Sequence, residues 1–474
     1  MARRRKIRTV EGEAIDIGHK GMTICKTEEG EVFMVQGAVP GDRIEAQLYR
    51  KKKGIWTGQT QEVLAPSPHR TKAPCQHFAF CGGCQWQDLD YKEQLRLKEN
   101  AVRNVMQRIG GIEIQKFHPI LGCDPVYFYR NKLEFTFSDQ RWLTEEEMKN
   151  DTPLEQKGLG FNRPGRFDKI LDIRECLLQP DPSNAIRNFV KKTASDLGLP
   201  FYNVRHQQGL LRNLIIRTTE TGDLMVILVV KSDEEEIKFL LSSVQKEFPE
   251  ITSLFYVVNP KSNDSIFDLE PYLFHGQPFI KEKLGDRIYQ IGPKSFFQTN
   301  TLQAKVLYDK VVELGDFHAD EIVYDLYCGL GSIGIYLADR VRKVIGVEEI
   351  EEAVEGANIN KQLNQVPHCQ FYAGDVREVL NPDFVEDLGH PDTVIVDPPR
   401  AGLHPEVTQF IKSLEPKKII YVSCNPGTQA RDLSAWADLY KCKEMQPVDM
   451  FPHTGHIENI ALMIRKNKNQ RSDG

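Results

Sequence analysis

The sequence predicts a multidomain α/β protein in three parts: an N-terminal OB-like β-barrel (residues 1–66), a central α+β domain (67–284) and a C-terminal Rossmann-like domain (285–474). Three observations carry that division. Short alternating runs broken by glycine fill residues 10–64, cysteines crowd into residues 75–84, and from Ile322 onward buried-strand runs alternate with glycine turns and helical stretches. With 474 residues, 40% of them hydrophobic, the chain can bury several cores.

The barrel rests on runs such as Gly12–Ile17 and Arg43–Leu48, separated by Gly18, Gly21, Gly30 and Pro40-Gly41. That spacing suits about five short strands. Arg50-Lys51-Lys52-Lys53, just before Ile55-Trp56, sets cations beside an aromatic ring, a platform for phosphates and bases. The net charge of -6 hides an asymmetry that agrees with this, because residues 1–72 carry +5 and the remainder -11. Ala65-Pro66-Ser67-Pro68 reads as a linker.

Beyond it, Cys75, Cys81 and Cys84 enclose a Gly82-Gly83 turn. Packing does not explain three cysteines in ten residues, whereas a metal does. Cys176 is the best-placed fourth ligand, with Cys123 and His77 as competitors. Zinc and an iron–sulfur cluster both suit the spacing. A helix is expected from about Tyr91 to Ile109, then strands such as Lys132–Phe137, Asn213–Arg217 and Leu224–Val230. The ten cysteines are too few and too irregular for a disulfide scaffold. No apolar run of about 18 residues occurs, and Met1–Lys6 leads into polar text without a signal core, so a cytoplasmic protein is expected. Lys466–Gly474 lacks any apolar pattern and is expected to fray.

In the last third, the strand Ile322–Cys328 runs into Gly329-Leu330-Gly331-Ser332-Ile333-Gly334, which opens a helix at Ile335–Ala338. The glycines allow a tight turn and close approach of a ligand. The next strand, Lys343–Val347, ends in Glu348, positioned to accept ribose hydroxyls, and Cys369–Asp375 ends in another acid. Val394–Val396 runs into Asp397-Pro398-Pro399-Arg400. So many carboxylates would repel a pyrophosphate but suit the sulfonium of S-adenosylmethionine. Lys418–Val422 then ends in Ser423-Cys424-Asn425-Pro426, before a helical run from Gln429 to Leu439. A thiol at a helix N-terminus beside a cofactor pocket reads as a nucleophile whose thiolate the dipole favours. The plain alternative is a cysteine that only packs.

Together these motifs resemble the RNA uracil-5-methyltransferase family over nearly the whole chain. The barrel is similar to the small RNA-binding TRAM domain. Tyr129-Arg130-Asn131-Lys132, Ser295–Asn300, Asp325–Gly331, Asp397–Arg400, Ser423–Pro426 and His456-Ile457-Glu458 recur, in order, as family signatures. The residues alone leave His453 and His456 as rival bases; the resemblance implies Cys424 as nucleophile and Glu458 as base. It puts S-adenosylmethionine on Gln298, Tyr327, Gly329, Gly331, Glu348 and Asp397, with Asp375 toward the adenine. It further implies a [4Fe–4S] cluster on Cys75, Cys81, Cys84 and Cys176, and action on RNA, 23S ribosomal RNA before transfer RNA; the sequence does not settle the oligomeric state, with a monomer as the default expectation. An amino-group methyltransferase with a structural Cys424, or a nonenzymatic RNA-binding protein, are the alternatives from other classes.

Overall fold

The computed structural model describes residues 7–18, 21–149 and 154–467. The expectations for Met1–Lys6 and for the tail from Lys468 fall outside the described residues. Two compact units form, one from Met1–Ala101 with Phe451–His456, the other from Val102–Met450 with Ile457–Gly474. No helix among the described residues is long and apolar enough to cross a membrane.

In the first unit, strands Arg8–Ile17, Thr23–Lys26, Val32–Gln36, Arg43–Lys52 and Ile55–Ala65 close into a barrel. Period-two alternation turns Val10, Ala14, Phe33, Val35, Ile44, Ala46 and Leu48 inward to make its core. The last two strands turn at Lys53-Gly54, where φ is +49° and +85°. Arg50 to Lys53 stand exposed on that turn, and the Lys51 ammonium lies 5.5 Å from the Trp56 ring centre. The expected linker is not free. The Ser67 N–H donates to the fully buried Asp42 at 2.8 Å, and the Arg70 guanidinium holds both Asp42 and Asp88. A second small core of Val39, Trp86, Leu89 and Leu97 follows. Phe451–His456 joins this unit through hydrogen bonds: the His453 N–H donates to Gln94 Oε1 at 2.9 Å, and the His453 carbonyl accepts from Gln85 and Trp86 at 2.7 and 3.1 Å.

The second unit contains two large sheets. The first orders Pro271–Gly276, Ser253–Val258, Leu224–Val230, Leu211–Thr218, Lys132–Ser138, Gly158–Arg163 and Arg166–Asp172. Its interior strand Leu224–Val230 is buried along its whole length, as a strand covered on both faces must be. The second orders Cys369–Ala373, Lys343–Glu348, Ile322–Leu326, Thr393–Val396, Lys418–Ser423, Glu458–Arg465, Tyr440–Val448 and Ile114–Phe117. The first five are parallel, and Glu458–Arg465 runs antiparallel to both its neighbours. Ile114–Phe117 extends this sheet from a stretch expected to build the central domain. Strand order reverses between Ile322–Leu326 and Thr393–Val396, the position at which open parallel sheets bind ligands.

Candidate active site

Because five strands are parallel and Glu458–Arg465 is reversed, the C-terminal ends of the five and the start of the sixth share one sheet edge. Tyr327, Glu348, Asp397, Cys424 and Glu458 all lie there. The turn after Ile322–Leu326 needs left-handed backbone at Tyr327, Gly329 and Gly331, with φ of +63°, +54° and +72°. A side chain at Gly331 would also meet the Phe371 ring at 2.6 Å. The turn is held from both sides: Gly334 N–H donates to Asp325 Oδ2 at 2.9 Å, and Gly329 N–H donates to Glu348 Oε2 at 3.0 Å. The other Glu348 oxygen accepts from the Ile350 N–H at 3.1 Å.

Asp325 offers an acceptor to a ligand, since its Oδ1 is buried without a hydrogen-bond partner among the described residues. Burial, opposed by the Gly334 hydrogen bond and reinforced by Asp397 and Glu348, pushes the Asp325 carboxyl up to about 7. Desolvation pushes Asp397 up to about 7 as well. Carboxylates that converge this way suit a ligand carrying a cation and N–H donors. That fits S-adenosylmethionine. Asp375 differs, because it caps the short helix Val376–Val379 and its ion pair with Arg377 holds it down at about 2. Burial pushes the Tyr327 phenol up to about 12.

Cys424 is half-buried between two tied loops. Asn425 closes the tie: its side-chain oxygen accepts from Gly427 N–H at 3.0 Å, capping the helix Pro426–Ser434, while its Nδ2 donates to the Arg400 carbonyl at 2.9 Å. Thr428 Oγ1 donates to the same carbonyl at 3.3 Å. The helix begins three residues earlier than the sequence suggested, because Asn425 is its cap and Pro426 its first residue.

The expectation of a ready thiolate is corrected. Burial first, then Glu458 and Asp397, push the Cys424 thiol up to about 11, with Arg400 pulling the other way by charge and a hydrogen bond. A cap position cannot outweigh two carboxyls and desolvation. Glu458 is only 6% exposed, and burial, helped by Asp397 and opposed by Arg400, pushes it well above the usual carboxylate range. The rival His453 is buried in the other unit, its Nδ1 3.2 Å from the Gln94 amide, and His456 is exposed.

Gln298 is placed by a residue whose motif was visible but whose role was not. Asn131 Nδ2 donates to the Gln298 carbonyl at 2.9 Å and to Thr301 Oγ1 at 2.8 Å, and its N–H donates to the Thr299 carbonyl at 2.9 Å. Thr301 in turn donates to the fully buried Glu282 at 2.7 Å.

Cys75, Cys81 and Cys84 lie half-buried in the first unit, where the Gly83 N–H donates to Cys81 Sγ at 3.3 Å. Cys176 is buried in the second, its N–H donating to Asn184 at 2.8 Å. Among the described residues no group of three or more His, Cys, Asp or Glu could hold a metal ion.

The profile of the tRNA (uracil-5-)-methyltransferase family matches residues 273–466. A Bacteroides thetaiotaomicron RNA methyltransferase is 46% identical over 94% of this chain and 99% of its own length. A Porphyromonas gingivalis RNA methyltransferase is 45% identical over 96% and 99%. The solved tRNA (uracil-54, C5)-methyltransferase of Pyrococcus abyssi, in complex with S-adenosyl-L-homocysteine, superposes with a TM-score of 0.75 at 30% identity, covering 96% of this chain and 100% of that one. By these likenesses, and by the sheet whose edge gathers the carboxylates and the thiol, the chain belongs to the family of SAM-dependent RNA uracil-5-methyltransferases.

Proposed function

We propose that the protein methylates C5 of a uridine in 23S ribosomal RNA through a covalent bond between Cys424 and uracil C6. The observation that carries this reading is the convergence of Glu458, Asp397 and Arg400 on the Cys424 thiol at one sheet edge, each acting on its charge. Gln298, Tyr327, Gly329, Gly331, Glu348 and Asp397 hold S-adenosylmethionine, with Asp375 toward the adenine. Bound there, the cofactor supplies an electrophilic methyl group.

Uracil C5 is too weak a nucleophile to take that methyl unaided. Cys424 adds to C6, and electron density shifts through the ring to C5 and O4. Arg400 favours the thiolate needed for addition, against the carboxyls that oppose it. Once C5 is methylated, Glu458 removes the C5 proton and the C6–S bond breaks. A carboxylate with a raised pKa is a stronger proton acceptor than an ordinary one, so its burial serves this step. Exposed Arg50–Lys53, with the half-buried Trp56 beside them, bind the RNA backbone and bases.

Transfer RNA is the second reading, favoured by the name of the Pyrococcus abyssi relative. Incubation with methyl-labelled cofactor and either protein-free 23S RNA or bulk transfer RNA, followed by nucleoside mass spectrometry, separates them. We expect labelled 5-methyluridine in the ribosomal RNA. Label only in transfer RNA moves the substrate, and label in neither removes the proposal.

A [4Fe–4S] cluster on Cys75, Cys81, Cys84 and Cys176 is part of the same proposal, supported by the cysteine spacing and by the buried Arg187, whose charge interacts with Cys176. No step of methyl transfer runs through it.

A further inference from the structure

Lys132 and Arg217 form a cationic pair that neither the sheet nor methyl transfer explains. They sit directly opposite each other in the antiparallel pairing of Lys132–Ser138 with Leu211–Thr218, so both side chains leave the same face. Like charges in that position destabilise a sheet. Arg217 is 6% exposed, and although one terminal nitrogen donates to the Ser295 carbonyl at 2.6 Å, its Nε is buried without a hydrogen-bond partner among the described residues. A buried guanidinium nitrogen left unsatisfied marks either a cost or a site awaiting an acceptor.

The carboxylates nearby do not settle the charge. Asp264 is taken by Arg212 at 2.9 Å, and no ion pair joins Glu134, on the same face, to Lys132 among the described residues. Arg130 adds a third cation, its Nε donating to the Lys132 carbonyl at 2.9 Å. Burial first, then Arg217, push the Lys132 ammonium down to about 8, with Glu134 opposing them and Arg130 adding to them. The pair is stitched to the segment that carries Gln298: Arg217 holds Ser295, and Asn131, next to Lys132, holds Gln298 and Thr299. Lys132 is partly exposed, which leaves the pair a path to solvent.

We propose that Lys132 and Arg217 bind a backbone phosphate of the RNA beside the Gln298 segment. This rests on the uracil-methylation reading. A phosphodiester brings the acceptor oxygens that the Arg217 Nε–H and the Lys132 ammonium lack, and its charge relieves their repulsion.

The test uses the full chain and a fluorescein-labelled 12-mer of oligouridylate, with affinity followed against salt. Lys132→Gln is expected to make the log–log salt slope shallower by about 0.7, the share of one phosphate on a single strand. Lys132→Arg should keep the slope, and the affinity for S-adenosylmethionine should be unchanged in both variants. Should Lys132→Gln fail to fold, single methylphosphonate linkages walked along the oligonucleotide give the same reading on the wild-type protein, one position reproducing the loss. An unchanged slope in a folded Lys132→Gln, or no sensitive linkage at any position, overturns the phosphate site. A loss confined to S-adenosylmethionine binding also overturns it, giving the cations to the cofactor's carboxylate. If the wild-type protein neither binds nor methylates RNA, the parent reading fails with it.

Discussion

In the ligand-free protein Cys424 should be a sluggish nucleophile, and its neighbours should tune it in opposite directions. Its thiol stands at about 11 against an ordinary value of 9.0. At neutral pH that leaves about 100-fold less thiolate. The more basic sulfur recovers about 8-fold in intrinsic reactivity, so alkylation should run about 10-fold slower than at an unperturbed cysteine, less what solvent screening removes at this half-buried site. Glu458→Gln removes the larger of the two carboxyl contributions and should move the pH–rate curve to lower pH. Arg400→Gln removes the one opposing cation and should move it higher. The assay is iodoacetamide labelling of the Cys424 peptide, followed by mass spectrometry between pH 6 and 10. A rate that levels off below about pH 9, or curves that coincide for the two variants, would refute the electrostatic account of the site.

Asn131→Ala removes the donors to Gln298 and Thr301; we expect a Km for S-adenosylmethionine about 10-fold higher with little change in kcat, and about 2 kcal/mol lost from stability, measured by denaturant titration. Glu282 is pushed by burial from 4.5 up to about 7, so the folded chain holds a proton that the unfolded chain releases earlier. Stability should therefore fall as pH rises through that interval, and Glu282→Gln should flatten the dependence. Neutralising Arg50 to Lys53 should cut the RNA log–log salt slope by about 3 and leave S-adenosylmethionine affinity alone; an unchanged slope moves RNA binding off the barrel. Protein isolated without oxygen should contain iron and sulfide, and stoichiometric zinc without iron would assign the cysteines to another metal.

The barrel and the parallel strands were legible because alternation and unbroken apolar runs are local signals. Leu224–Val230 has the bounds its sequence suggests, and Ile322–Leu326 stops two residues short only because Tyr327 must turn left-handed. Ile114–Phe117 gave no such signal, being four residues long with two polar ones in its middle. Nor could any local pattern show that Phe451–His456 packs with Gln85, Trp86 and Gln94, residues far away in the chain. Around the site, strand ends and glycines singled out Glu348 and Asp397, whereas Tyr327 came only with the family resemblance. The direction of the Cys424 shift was not legible, because it depends on Glu458 and Asp397 arriving from two other strands. Asn131 stood in a visible motif, yet its work on Gln298 needed the fold.

The central claim, that Cys424 attaches to the base and Glu458 releases it, is met most directly by mapping the covalent complex. RNA carrying 5-fluorouridine has no C5 proton to remove, so the adduct should accumulate, survive denaturing electrophoresis and yield a Cys424 peptide bearing a methylated nucleotide. With ordinary RNA, Glu458→Gln should trap the corresponding methylated adduct, with hydrogen in place of fluorine at C5, and Cys424→Ala should give neither adduct nor product. Attachment at another residue, or turnover by Cys424→Ala, would contradict the account.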